Sequence, residues 1–252
     1  MKGGLVAAIV AIAALAPAAA FAESLVAALS DEAVRITSNF TGEQIVVFGA
    51  IRGTPDEDAE YEVAVVVEGP QEDVIVRRKE RLLGVWANRT SREFKEVPSY
   101  YVMHLSENFS GALDPSQLSV YRLGVRSHPF VQEAAAEATA QLFAEALIAL
   151  KAEHGLYVER QGAVDFLAPN VFRTTFFLPS AIPTGEYRVS VYLFRSQTFL
   201  AGRTDTLSIA KGGFSERIAR SADDYPLYYG LVCVALAVFT GWFAGVIFRR
   251  PL

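Results

Sequence analysis

Only one cysteine, Cys233, stands in the 252 residues, which excludes an internal disulfide and any cysteine-based zinc site. Histidine is nearly as scarce. His104, His128 and His154 are scattered, with no His-x-x-x-His or carboxylate spacing that would face one ion, so no metal and no cofactor is expected. Basic charge is short too: 23 Lys and Arg against 28 Asp and Glu give a net charge of −5 and a pI near 5.3, which argues against a nucleic-acid binder. A Gly-x-Ser-x-Gly elbow and glycine-rich phosphate loops are both missing, so no nucleophile or phosphate cradle announces itself. Charged residues make up 20% against 52% hydrophobic, too apolar a mixture for disorder, and 18 glycines with 11 prolines rule out a collagenous chain.

Long apolar runs, by contrast, are present at both ends. Residues Leu5 to Ala16 are uninterrupted and apolar, after Lys2 and before Pro17 and the small-residue run ending Ala20-Phe21-Ala22. That stretch is too short to span a bilayer core of roughly 30 Å and has the order of a secretory signal peptide, residues 1–22, cut after Ala22. At the other end, Leu227 to Phe248 carries no charge over 22 residues, about 33 Å as a helix. Eleven of these are Leu, Ile, Val or Phe, worth together about 3 to 7 kcal/mol of insertion. Tyr225, Tyr228 and Tyr229 form an aromatic belt at its start, and Arg249 and Arg250 close it on the side that positive charge marks as cytoplasmic.

These ends predict a single-pass inner-membrane protein: signal peptide 1–22, periplasmic domain 23–225, membrane helix 226–248 and cytoplasmic tail 249–252. The exterior domain holds all 28 acidic residues but only 20 basic ones, a net charge of −8, so it is drawn neither to anionic lipid nor to nucleic acid. Contact with the bilayer runs through 226–248. Gly241 and Gly245 there have the small-x-x-x-small spacing of a helix dimer.

The body reads as mainly β. Ala33 to Ser38 and Glu43 to Ile51 are strand-like and flank Asn39-Phe40-Thr41-Gly42, which suits a hairpin turn; Tyr61 to Glu68 and Asp73 to Lys79 read as the next pair around Gly69-Pro70-Gln71. A helical insertion at about 113–154 follows. Asp114-Pro115 opens a short helix, and a longer one runs from Ser127 to His154, with Glu133, Glu137, Gln141 and Glu145 on its wet face and Phe143, Leu147 and Leu150 packing. Strands return at Val171 to Leu178, Gly185 to Arg195 and Gln197 to Ala210. Pro183-Thr184-Gly185-Glu186-Tyr187 has the spacing of a tyrosine corner, so the expected fold is an immunoglobulin-like β-sandwich with a helical insertion, with length enough for a second small α+β lobe.

The one dense basic cluster is Arg77, Arg78, Lys79 and Arg81, a candidate patch for an anionic ligand or partner. No catalytic residue is assigned. Two functions remain: a membrane-anchored periplasmic interaction or accessory protein, and a membrane-tethered hydrolase whose site assembles from scattered residues such as His104, Glu107 and Asp114.

Several segments together resemble a family of alphaproteobacterial transmembrane proteins of about this length: Phe40-Thr41-Gly42 before Val46-Val47-Phe48-Gly49-Ala50, Val67-Glu68-Gly69-Pro70, Arg77 to Arg81 with Gly84-Val85-Trp86, Val97-Pro98-Ser99-Tyr100-Tyr101, and Gly185-x-Tyr187 before a terminal Gly-Trp helix. The resemblance implies an inner-membrane protein facing the periplasm and supplies no catalytic residues. It also implies a transport partner, a sulfite-exporter-type permease, through the gene neighbourhoods associated with such proteins.

Overall fold

Every residue of Tyr61–Glu68 is buried, on both faces of the strand, and the fold is organised around that fact. The structure is a computed structural model that describes residues 23–37, 39–53, 60–82, 85–109, 113–212, 222–223 and 225–247. Residues 1–22, expected to be a signal peptide, Gly213, and Arg249 and Arg250 of the expected tail therefore lie outside the described residues.

In chain order the strands are β1 (Ser24–Leu29), β2 (Ala33–Ile36), β3 (Gly42–Arg52), β4 (Tyr61–Glu68), β5 (Gln71–Leu82), β6 (Val85–Pro98) and β7 (Tyr101–Ser106). Helices α1 (Pro115–Tyr121), α2 (Pro129–Ala134) and α3 (Ala138–Glu153) follow, with a 3-10 turn at Val125–Ser127. Then come β8 (Tyr157–Ala168), β9 (Val171–Pro179), β10 (Gly185–Arg195), β11 (Thr198–Lys211) and the C-terminal α4 (Pro226–Ile247). The protein is mostly β, as its alternation of apolar residues predicts, with a few helices and one apolar helix at the end.

Nine strands form one sheet in the order β1-β3-β9-β8-β7-β4-β10-β11-β2. Its outermost strands, β1 and β2, are joined by only residues 30–32, so the sheet curls until its two edges meet. The link is fixed at both ends: Ser30 N donates to Val46 O and Ser208 N to Glu32 O. Strand β8 makes the opposite corner. Its first half pairs in parallel with β7 and its second half antiparallel with β9, and the change falls at Gly162, whose φ of 71° is open to glycine. Inside the curl lie Ile45, Val47, Val63, Val65, Val67, Val189, Val191, Leu193, Phe172 and Leu207. At one end of it the Tyr187 hydroxyl donates to Pro183 O at 2.5 Å, the corner contact that the spacing predicts.

The outer face of β4, β7 and β10 is covered as well. Ala64, Val66, Tyr101, Met103 and Phe194 pack beneath Phe130, Val131, Phe143, Ala144 and Leu147 of the helices and Val76, Phe94 and Val97 of β5 and β6. A strand buried on both faces needs a continuous apolar run, which is what YEVAVVVE provides.

Three expectations need correction. β2 and β3 form no hairpin: β2 pairs with β11, and β3 with β1 and β9, so Asn39 to Thr41 lie on a crossover. Likewise β4 pairs with β7 and β10 rather than β5, which pairs with β6 in a separate two-stranded ribbon. Gly69-Pro70 is thus a bend, not a turn. A Cβ on Gly69 would fall within 3.0 Å of Ser99, Tyr187 and Tyr100, so only glycine lets the chain leave the sheet there. Finally, the expected helix from Ser127 is broken between Ala134 and Ala138, where Glu137 is extended (φ −134°, ψ 120°). The buried residues of α2 (Phe130, Val131, Ala134) and α3 (Ala140, Phe143, Ala144, Leu147, Ile148) would lie roughly a third of a turn apart on one straight helix. The break brings both sets onto the sheet. Leu150, expected to pack, is half exposed.

Helix α4 is the long apolar segment that the sequence predicts. Its 22 residues are exposed where described, and it is long and apolar enough to cross a membrane.

Candidate functional site

The β5–β6 ribbon continues the β4–β7 pair beyond the Gly69-Pro70 bend. Two backbone bonds carry it round the corner, Gly69 N to Tyr100 O at 2.8 Å and Ser99 N to Pro70 O at 2.9 Å. A bulge at Glu96, which is left-handed at φ 53°, then bends the ribbon, with Glu96 N donating to Asp73 Oδ1. Ion pairs fasten it to the helical layer: Lys151 with Glu72 near its base and Arg92 with Glu137 at the helix break. Past Val76 the last residues of β5 leave the core, and Arg77, Arg78, Lys79 and Arg81 are all exposed. The sequence-predicted patch therefore sits on the outer half of this arm. Arg77 and Arg78 also line a small cavity of about 150 Å³ with Leu142, Ala146 and Leu150 of α3.

The richer chemistry is at the base of the arm, where no motif announces it. Glu68, the last residue of β4, is buried, and its Oε2 accepts from Arg122 Nη1 at 3.0 Å and Arg188 Nη1 at 3.4 Å. Its Oε1 is buried without a partner among the described residues. His128 Nε2 lies 3.8 Å from that oxygen, and both of its ring nitrogens are buried and unpartnered. Burial, and then the Arg122 charge, hold the His128 imidazole down to about 4, so at neutral pH the ring is uncharged and its approach to Glu68 is no ion pair. These four side chains line a cavity of about 200 Å³ with Gly69, Pro70, Gln71, Pro98 and Glu186.

Local structure explains the placement. Arg122 caps α1 in a left-handed conformation (φ 53°), costly for a residue with a Cβ, and is held by Tyr101. The Tyr101 hydroxyl donates to Arg122 O at 2.7 Å and accepts from Gly124 N at 2.8 Å, while Glu159 accepts from Val125 N at 2.6 Å. Pro129 starts α2 and fixes His128 as its N-cap, in extended conformation with no side-chain cap bond. Arg188 and Glu68 are register partners on β10 and β4. The sequence signals were a carboxylate ending an otherwise apolar strand and a histidine before proline, each ambiguous alone.

The residues considered for a hydrolase do not converge. His104 is buried, and its Nδ1 lies 2.7 Å from Thr174 Oγ1. Because Thr174 donates its only hydroxyl proton to Ala163 O, Nδ1 must be the donor, which leaves Nε2 as the lone-pair nitrogen. Burial and the nearby Arg160 charge lower this histidine to about 4 as well. It lines a cleft of about 510 Å³, with Val158, Arg160, Thr175 and Phe177, where the first half of β8 and the end of β9 part company. Asp114 instead caps α1 through Ser116 N, and Glu107 lies exposed in a turn. Among the described residues no group of three or more metal-ligating side chains occurs.

Over residues 24–250 the sequence matches the family model described as "Putative transmembrane protein (Alph_Pro_TM)", and the chain belongs to that family. No curated protein matches it. Among solved structures it is similar to the crystal structure of Spo0M, a sporulation control protein from Bacillus subtilis, at 10% identity and a TM-score of 0.29. That match covers 81% of this chain and 55% of the other, so the chain spans about half that protein's length.

Proposed function

We propose that this member of a transmembrane protein family is a membrane-tethered interaction protein of the cell envelope. In this reading the signal peptide is removed, the β-rich body stands in the periplasm as an immunoglobulin-like scaffold, and α4 anchors it in the inner membrane. The β5–β6 arm docks on an acidic partner. The single observation that carries the reading is the arm itself: exposed Arg77, Lys79 and Arg81 on a projecting ribbon, set against a body with a net charge of −8. Such a charge contrast favours an oriented encounter, with the cationic arm towards the partner and the acidic body away from it. The tyrosine corner supports the scaffold, and the 22-residue apolar helix supports the anchor.

The test is co-purification of the full chain from detergent. A stoichiometric membrane or periplasmic partner, a transporter among the candidates, is expected to be lost when Arg77, Lys79 and Arg81 are all changed to Glu and to weaken with added salt. A partner retained by that variant, or a chain that elutes alone, overturns the docking role. Orientation is tested separately by an export-dependent reporter fused just before Tyr225, which is expected to be active.

A further inference from the structure

The cavity at the base of the arm is independent of what the arm docks on. Its lining offers an unusual combination. Glu68 Oε1 is a buried acceptor without a donor, and His128, 2% exposed, has an unused donor and an unused acceptor. Each arginine uses only Nη1 on Glu68, so the Nε and Nη2 donors of Arg122 and Arg188 have no protein acceptor among the described residues. Glu68 Oε1 and the two His128 nitrogens, buried and unpaired, are costly in this state and call for an occupant, while the arginine side chains are partly open to solvent and free to meet it.

Charge narrows the occupant. With His128 neutral, Glu68 and Glu186 balance Arg122 and Arg188, so the lining as a whole is neutral but its signs are separated. A simple anion would meet the buried Glu68 oxygen, and a simple cation would meet two guanidinium groups. A dipolar molecule satisfies both ends at once. Volume narrows it further: about 200 Å³ equals roughly half a dozen waters, below the usual size of a drug-like site. We propose that this cavity binds a small zwitterion with a primary ammonium and a carboxylate, an α-amino acid with a short side chain. The ammonium donates to Glu68 Oε1 and to the lone-pair nitrogen of His128, and the carboxylate accepts from the free edges of Arg122 and Arg188.

Titration calorimetry of the full chain in detergent tests this with glycine, L-alanine and L-serine as probes, against glycine betaine, which has no ammonium protons, and acetate, which has no amine. One-to-one binding of at least one amino acid is expected, with betaine and acetate weaker by tenfold or more. Arg188→Ala removes a half-exposed side chain and leaves Glu68 its shorter contact with Arg122, so the chain stays folded while amino-acid binding weakens by about tenfold, 1.4 kcal/mol. Glu68→Gln abolishes the preference for glycine over acetate. Should Glu68→Gln fail to fold, the probe series and Arg188→Ala still decide. Acetate or betaine binding as tightly as glycine, or no probe binding at millimolar concentration, overturns the proposal, the latter meaning that the cavity holds water only.

Discussion

The two faces of β4 end their polar groups differently. On the inner face Val63, Val65 and Val67 enter a core whose buried histidine, His104, is tied through Thr174 to Ala163 O. On the outer face Ala64 and Val66 pack under the helices, but the layer runs out at Glu68 and His128, where three side-chain atoms have no partner. The inner layer ties its buried histidine to the backbone through Thr174, although that ring also borders the cleft beside β8 and β9. The outer layer keeps polar atoms open at a cavity, an arrangement that stability alone does not favour.

The largest expected effect breaks the inner layer outright. Phe172 is fully buried inside the curl, so Phe172→Ala is expected to cost about 3–5 kcal/mol, read by chemical denaturation of the full chain in detergent. Leu142, 68% exposed on α3, is the surface control, and Leu142→Ala should stay within about 0.5 kcal/mol. Equal losses would erase the distinction.

Acid acts on both layers. His104 and His128 are both held down to about 4 from 6.5, chiefly by burial. A depressed histidine takes up its proton more readily in the unfolded chain, so neither ring brings a protonation penalty above about pH 6.5, and each lowers stability as the pH drops towards 4, by up to about 3 kcal/mol per group. Melting curves from pH 7.5 to 4 are expected to show this fall, and His104→Leu or His128→Leu should each remove about half of it. A flat profile would mean that neither ring is buried as described. Tyr187→Phe comes next: the corner hydroxyl reaches Pro183 O across the end of the inner core, and its loss should cost about 1–3 kcal/mol.

Legibility followed the same division. Tyr187 could be read because its spacing to Pro183 is local, and α4 because a bilayer demands length and apolarity that nothing else does. The short α1 was legible in Asp114-Pro115, since capping is also local. Pairing was not. Asn39 to Gly42 has hairpin chemistry, yet β2 and β3 go to different neighbours, because partners in a curled sheet are chosen by long-range packing. Strands β1 and β8 escaped notice: β1 is a short alanine-rich edge, and β8 mixes charged and apolar residues as it turns the corner at Gly162. The arm's basic residues were visible as a cluster. Glu68, Arg122, His128 and Arg188 were not, since they come from β4, the end of α1, the start of α2 and β10, and only the fold brings them together.

The smallest effect is the sharpest, because its sign differs between the layers. Leucine at position 104 removes a ring that donates to Thr174, so His104→Leu should destabilise by about 1 kcal/mol at pH 7.5. Leucine at position 128 removes two buried nitrogens that bond to nothing and fills the same space with apolar surface. His128→Leu should therefore be neutral or stabilising by up to about 1 kcal/mol at that pH in the absence of added ligand. A melting temperature that falls as far for His128→Leu as for His104→Leu would show that His128 is a structural residue like its counterpart. A rise would show that the outer layer tolerates an unfavourable group, which fits a histidine kept for what enters the cavity.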